Sequence, residues 1–280
     1  MRHATGHQAS SGGGELHTCE WHPDAPARGV VVLVHGLAEH SGRYAGLVGR
    51  LTAEGLAVHA LDHRGHGRSP GARAQVGRFA WLVADVATRL AAARAAHPGL
   101  PLILLGHSMG GAIALATALA HPEGIKALVL SAPAIGVDPA VPALRVALAR
   151  VLSRLLPGAG VLRLDASLVS RDAAVVRAYE ADPLVHRGAV PARTAVELLE
   201  AMAAFPAAVG ALRIPTLVLH GTADGLVPIR HVEPVWQRLG SPDLTVHRYT
   251  GLFHEVFNEP EREQVFDDLA AWIRRRLDAP

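Results

Sequence analysis

The chain predicts an α/β protein built on a mainly parallel, doubly wound sheet with a helical insertion, and three observations carry that expectation. Short apolar runs alternate with helical patterns through residues 15–133 and again through 213–280. The run Val30 to Val34 contains no polar residue, as a strand covered on both faces requires. Between the two halves, residues 134–212 hold only helical patterns and breakers, so they read as a cap over the C-terminal strand ends, where ligands bind in such sheets.

The elements follow in order. Met1 to Gly14 has His, Ser and Gly without an apolar stretch, so it reads as a flexible leader and not as a signal peptide. Glu15 to Trp21 alternates as an edge strand does, and Val30–Val34 follows as the first buried strand. The polar stretch His35 to Tyr44 then opens a helix that runs to about Glu54. Leu56–Leu61 is the next strand, closing in the glycine-rich turn Asp62 to Ser69. A helix over Phe79–Ala96 stops at His97-Pro98-Gly99. After the run 101–105 come a helix at Ala112–Ala120 and a strand at Ile125–Ser131. In the insertion, helical patterns cover Val141–Leu156, Ala173–Glu180 and Arg193–Ala204. Alternation returns with a strand at Thr216–His220, a helix at about Ile229–Leu239, a strand at Leu244–Tyr249 and a last helix from about Pro260 to Leu277.

Composition narrows the function classes. Half of the 280 residues are apolar, which suits one large globular domain with a sizeable core. The formal charge is +2 and the arginines are dispersed, so no nucleic-acid partner is expected. No apolar run approaches the length of a membrane span, and the lone Cys19 excludes an intramolecular disulfide. The chain is therefore expected in the cytoplasm, with peripheral membrane contact as a further option. Its oligomeric state is not legible.

Chemistry enters at Gly106-His107-Ser108-Met109-Gly110-Gly111. A strand ending in Gly-x-Ser-x-Gly with a helix at once behind it has the form of a nucleophile elbow, whose serine sits at a strained, exposed turn. A serine hydroxyl needs a base, and the base needs a carboxylate to orient it. In this type of sheet the order is serine, acid, histidine. That order leaves only His231, His247 and His254 among the 17 histidines. His231 falls on a predicted helix and His247 inside a predicted strand, as surface or packing residues. His254 falls just past the last strand, and Asp224 stands in the equivalent place one strand earlier, so Ser108, His254 and Asp224 form the candidate triad. The backbone amides of Met109, after the nucleophile, and Leu37, after the first buried strand, are the candidate oxyanion donors. This chemistry calls for no cofactor and no metal.

Other patterns fall away. His59, Asp62, His63 and His66 resemble part of a dinuclear metal motif, but its first histidine would fall at Ala57, and no HExxH occurs. Gly65-x-Gly67 followed by Pro70 lacks the third glycine and the helix start of a dinucleotide site. Serine at position 108 excludes chemistry that needs an aspartate nucleophile there.

The residues now carry a family resemblance. The chain resembles the monoacylglycerol lipases of the α/β-hydrolase fold from about residue 15 to 277. The similarity lies in His35-Gly36-x-x-Glu39-His40-Ser41-Gly42-Arg43-Tyr44, Asp62-His63-x-Gly65-His66-Gly67-x-Ser69, the elbow, Ser170-Arg171-Asp172 and Asp182-Pro183-Leu184. It implies an α/β-hydrolase core (15–133 and 213–280) carrying the cap (134–212), and hydrolysis of glycerol monoesters through an acyl-enzyme. A broader carboxylesterase, a lysophospholipase and a thioesterase are alternatives within the fold, and a catalytically silent binding module is one outside enzymology. The resemblance also places Glu39 and Arg43 near the glycerol end of the site. One departure is Phe257, three residues after His254, where some relatives have histidine. In the cap, Val141, Leu144, Leu148, Val151, Leu152 and Leu155 share one helical face, with Arg150 and Arg154 opposite. Such a face is most simply turned to the core; in a cap, the rival reading is a lid that touches a lipid surface.

Overall fold

The computed structural model describes residues 1–277. Its elements, in chain order, begin with β1 (Arg2–Ala9), β2 (Glu15–His22), β3 (Gly29–Val34), α1 (Ala45–Ala53), β4 (Leu56–Leu61), α2 (Phe79–Ala96), β5 (Leu102–His107), α3 (Met109–Ala120) and β6 (Ile125–Ser131). They continue with α4 (Ala143–Leu155), β7 (Gly160–Leu162), α5 (Ala173–Ala181), β8 (Val190–Pro191), α6 (Ala192–Ala208), β9 (Thr216–Gly221), α7 (Ile229–Trp236), β10 (Leu244–Tyr249) and α8 (Arg262–Leu277).

Eight strands make one sheet in the order β1-β2-β4-β3-β5-β6-β9-β10. From β4 to β10 every neighbouring pair is parallel, whereas β1–β2 and β2–β4 are antiparallel. The period of two sorts the side chains into two cores. Val30, Val32 and Val34 of β3 point to the face covered by α2, α3 and α7, where Leu82, Val86, Ile113, Val232 and Trp236 are buried. Val31 and Leu33 point to the other face, against Leu47 and Leu51 of α1 and Phe266, Leu269 and Trp272 of α8. Helices on both faces explain why β3 carries an unbroken apolar run.

The expected leader is instead a strand. Arg2–Ala9 pairs along its whole length with β2, from Arg2 opposite His22 to Ala9 opposite Glu15. Its side chains are mostly exposed, so apolar patterning could not reveal it; backbone pairing holds an edge strand. The glycines that suggested flexibility make the turn: Gly13 and Gly14 have φ of 86° and 78°, and Ser10 N–H donates to Gly14 O at 2.9 Å. Asp85 of α2 then ties the hairpin down by accepting from Ser10 Oγ at 3.0 Å and Ser11 N at 2.6 Å.

Residues between β6 and β9 form α4, the β7–β8 ladder, α5 and α6. This insertion is fastened to the sheet domain at several polar points. Thr194 of α6 donates to Ala74 O at 2.7 Å and accepts from Val76 N at 3.2 Å. Glu197 accepts the Phe79 amide at 2.7 Å, and so caps α2, whose own N-cap residue Arg78 has no capping side chain. By length and composition the helix Ala192–Ala211 is apolar enough to cross a membrane. Its Thr194, Leu198 and Phe205 are buried against the protein and Arg193 pairs with Glu197 at 2.9 Å, so it belongs to the packed insertion. The apolar face of α4 is not turned to the core. Leu144, Leu148 and Leu155 are 71%, 61% and 73% exposed, which overturns the simpler expectation for that helix. Leu152 is partly covered and Ser153 is buried, on the side where α4 packs along α6.

Candidate active site

The strand β5 runs directly into α3 through Ser108, whose φ of 54° and ψ of −120° are strained for a residue with a side chain. The helix begins at Met109, three residues earlier than the apolar pattern suggests, because the turn itself serves as its N-cap. Glycine is required on both sides. A Cβ on Gly106 would lie 2.2 Å from Gly110 O, and one on Gly110 would lie 2.1 Å from Val34 O. The turn is pinned by Ser108 N–H donating to Ser131 O at 2.9 Å, and Ala134 N–H donating to Ser108 O at 3.0 Å.

His254 follows β10, and its Nδ1–H donates to Asp224 Oδ2 at 2.7 Å, with both side chains buried. The other Asp224 oxygen accepts from the Leu226 and Val227 amides at 2.9 and 2.8 Å. That leaves His254 Nε2 free to accept a proton. His220, buried at the end of β9, lies 3.4 Å from Asp224 Oδ2 and bonds Val227 O at 2.9 Å, which closes the acid's surroundings. Burial pushes the Asp224 carboxyl up, but the His254 ring and the hydrogen bonds outweigh it and hold it below the usual range. Burial likewise pushes His254 down, and the Asp224 charge, its hydrogen bond and the nearby Glu255 and Glu39 raise it above the ordinary histidine value.

Ser108, His254, Leu37 and Met109 line one cavity of about 350 Å³, walled mainly by aliphatic side chains such as Val137, Leu162, Leu198, Met202 and Leu226. Asp224 stands behind His254. Among the described residues the Leu37 and Met109 amides donate to no other protein group, so both remain available to a ligand oxygen. The Leu37 amide is oriented indirectly. His35 Nδ1–H donates to Gly36 O at 2.8 Å, while His35 Nε2 accepts from His63 N at 2.9 Å, which sets the tautomer. Because a trans peptide holds C=O and N–H on opposite sides, fixing Gly36 O also aims the Leu37 N–H.

Of Glu39 and Arg43, the first lines the cavity and the second does not. Glu39 is buried and reaches the cavity wall, but its Oε1 accepts from Gly36 N and Tyr44 Oη, both at 2.6 Å. Its Oε2 accepts from Arg43 Nη1 at 2.9 Å. Arg43 in turn holds Glu255 with both terminal nitrogens, at 2.5 and 2.8 Å. A side chain so engaged, and absent from the cavity lining, is not presented to a substrate. Burial would raise the Glu39 carboxyl, but Arg43 foremost, with His107 and His35, holds it at about 2.

The rejected patterns have structural explanations. Asp62 accepts from Ser41 and Arg68 and so orders the glycine-rich turn. His63 and His66 lie buried beside His35, whereas His59 is remote from them and bonds His97 and Arg89. His247 stacks on Tyr249 near Asp268. His231 is not merely a helix-surface residue, for it lines the cavity 3.7 Å from Asp138. Sequence reasoning also missed Glu255 and Tyr179; adjacency to His254 was the one available signal for the first. Phe257 packs on Phe266 in the core and lies outside the cavity lining.

With this geometry in hand, similarity is informative. Residues 25–261 match the family model described as "Serine aminopeptidase, S33". A monoacylglycerol lipase of Mycolicibacterium smegmatis is 46% identical over 96% of both chains. The human monoglyceride lipase is 34% identical over 96% of this chain and 90% of its own. The crystal structure of the Paleococcus ferrophilus monoacylglycerol lipase superposes with a TM-score of 0.84 at 33% identity, covering 93% of this chain and 99% of that one. The chain therefore belongs to the monoacylglycerol lipase family of α/β-hydrolase-fold carboxylic ester hydrolases.

Proposed function

We propose that this enzyme cleaves monoacylglycerols to fatty acid and glycerol, with Ser108 as nucleophile, His254 as base and Asp224 as the acid that orients it. The observation that carries the reading is the aliphatic cavity opening directly onto Ser108 and His254. One acyl chain can lie there, each buried CH₂ contributing roughly 0.8 kcal/mol. Ser108 Oγ attacks the ester carbonyl as its proton passes to His254 Nε2. The developing oxyanion meets the Leu37 and Met109 amides, and the imidazolium then protonates the departing glycerol oxygen. Water repeats the sequence on the acyl-enzyme and releases the fatty acid.

The family's peptidase description does not favour peptide cleavage here. An aminopeptidase needs an unpaired carboxylate for the substrate's ammonium; Glu39 and Glu255 at the cavity are both engaged by Arg43, and the third cavity carboxylate, Asp138, accepts the Ala140 amide at 2.8 Å and stands 3.7 Å from His231. A panel of mono-, di- and triacylglycerols, a lysophospholipid, an acyl thioester and an aminoacyl amide tests the reading, with Ser108→Ala as control. Monoacylglycerol should be the best substrate, and Ser108→Ala should abolish both turnover and fluorophosphonate labelling. A lysophospholipid turned over faster would move the substrate assignment, and labelling that survives in Ser108→Ala would remove the nucleophile.

Contact with lipid surfaces is assigned to α4 and the neighbouring strand β7. Leu144, Leu148, Val151, Leu155, Leu156 and Leu162 are all more than half exposed there, with Arg145 and Arg154 also exposed. Val141 and Leu162 line the cavity as well, so the apolar surface continues to its mouth.

A further inference from the structure

We infer that Glu39, Arg43 and Glu255 act as one positioning unit that holds the oxyanion loop in register with the loop of the general base. The inference rests on the reading of Ser108, His254 and the two amides given above. Glu39 fixes the loop from below by accepting the Gly36 amide at 2.6 Å. Gly36 permits that approach, since a Cβ there would lie 2.8 Å from Glu39 Oε1 and 3.2 Å from Ser108 Cβ. Arg43 bridges Glu39 to Glu255, the residue directly after His254. Glu255 is itself anchored, accepting from Asn258 Nδ2 at 2.8 Å and donating its amide to Val169 O at 2.8 Å. The two halves of the chemistry, separated by more than two hundred residues, thus meet on one guanidinium.

Stability alone gives little reason for this arrangement. Two buried carboxylates and a largely covered guanidinium are costly to desolvate, and well-packed apolar residues would hold the two loops together as well or better. Charge-assisted, bidentate bonds supply direction instead, fixing angles as well as distances. The cap joins the same unit: Tyr179 of α5 lies under the Arg43 guanidinium at 4.6 Å, and His186 N–H donates to Ala38 O at 2.8 Å. Ala38 stands at φ 68°, a left-handed conformation unfavourable for alanine, which these bonds on either side maintain.

The test uses a soluble short-chain ester, so that it does not depend on the natural substrate. It compares Glu39→Gln, Glu39→Leu, Glu255→Gln and the charge-balanced pair Arg43→Met with Glu255→Gln. Glutamine at 39 can still accept the Gly36 amide but turns an NH₂ toward Arg43 and breaks that bridge, so its kcat should fall between those of wild type and the leucine variant. Leucine cannot accept the amide, and should lower kcat by up to about 10², the scale of losing an oxyanion donor, with KM little changed. Affinity for an alkylboronic acid, whose tetrahedral adduct places an oxygen in the hole, should fall by a similar factor. Glu255→Gln should also move the acidic limb of kcat/KM to lower pH. His254 faces Asp224 backed by His220, His107 from β5 at 4.7 Å between rings, Glu39 and Arg43, and its neighbour Glu255, and the variant removes one of these negative charges. The charge-balanced pair should lose kcat and boronate affinity with the limb unmoved, and it serves where Glu39→Leu does not fold. Wild-type boronate affinity in folded Glu39→Leu or in the pair would overturn the inference. Failure of the wild-type protein to label at Ser108 would instead overturn the triad reading beneath it.

Discussion

His254 and Asp224 are joined by a 2.7 Å hydrogen bond between Nδ1 and Oδ2, in a pocket that leaves each residue about one-twentieth exposed. Burial alone would drive this histidine toward neutrality, and the Asp224 charge reverses the sign. The ring is therefore protonated to a higher pH than a free histidine.

The first prediction follows from that reversal. A base must be neutral to accept the serine proton, so kcat/KM should rise with pH through a midpoint above the ordinary value near 6.5. Asp224→Asn removes the charge and leaves the burial, so the midpoint should fall below that value. It should also lower kcat by on the order of 10⁴, because the wrong tautomer is favoured. A pH–rate profile of wild type and variant measures both effects. An unchanged midpoint would show that Asp224 does not govern the base.

The glycines of the elbow are expected to differ from those elsewhere in kind. Gly110→Ala forces a Cβ to 2.1 Å from Val34 O, a backbone atom of the central strand that cannot move aside. Urea unfolding should register a loss of at least about 1–3 kcal/mol, the scale of overpacking. Gly49, exposed in α1 with nothing within 4 Å of its added Cβ, is the matched control. There Gly→Ala should stabilise by about 0.5–1 kcal/mol.

A third expectation concerns the cap. Leu148 is 61% exposed on α4, so Leu148→Asp should leave the melting temperature and turnover of a soluble ester nearly unchanged. Binding to liposomes, measured by co-sedimentation, should weaken by about tenfold or more, since a leucine side chain contributes about 1.5–3 kcal/mol when it leaves water. Equal liposome binding would assign the lipid contact to another surface.

Much of this was legible in the residues because local rules and tertiary structure agree. Strands covered on both faces are predominantly apolar, so β3, β4 and β5 could be read directly even though β4 carries the buried His59. The elbow could be read because only glycine fits where two backbones touch. The remainder depended on partners distant in the chain. The apolar stripe of α4 has the same periodicity whether it meets a core or solvent, and only the fold decides. Edge strand β1 is held by backbone bonds to β2, to which side-chain patterning is blind. Arg43 and Glu255 lie more than two hundred residues apart, so their pairing has no signature along the sequence. His231 shows the same limit: periodicity gives its helix, but not that the helix borders the cavity.

The most direct test of the central claim is the ratio of kcat/KM for monoolein to that for triolein, measured in the same detergent. In the proposed reading one acyl chain lies in the cavity beside Ser108, and the alcohol side is bounded by the loop around Gly36 and Glu39, whose groups are already bonded to one another. A second or third chain on the same glycerol must then stay in water or displace packed side chains, which adds cost without matching burial. The account predicts a ratio of on the order of 10² or more, the scale set by a few kcal/mol of unmatched burial. Comparable values for the two substrates would contradict it and leave a broad-range lipase with the same serine, histidine and aspartate.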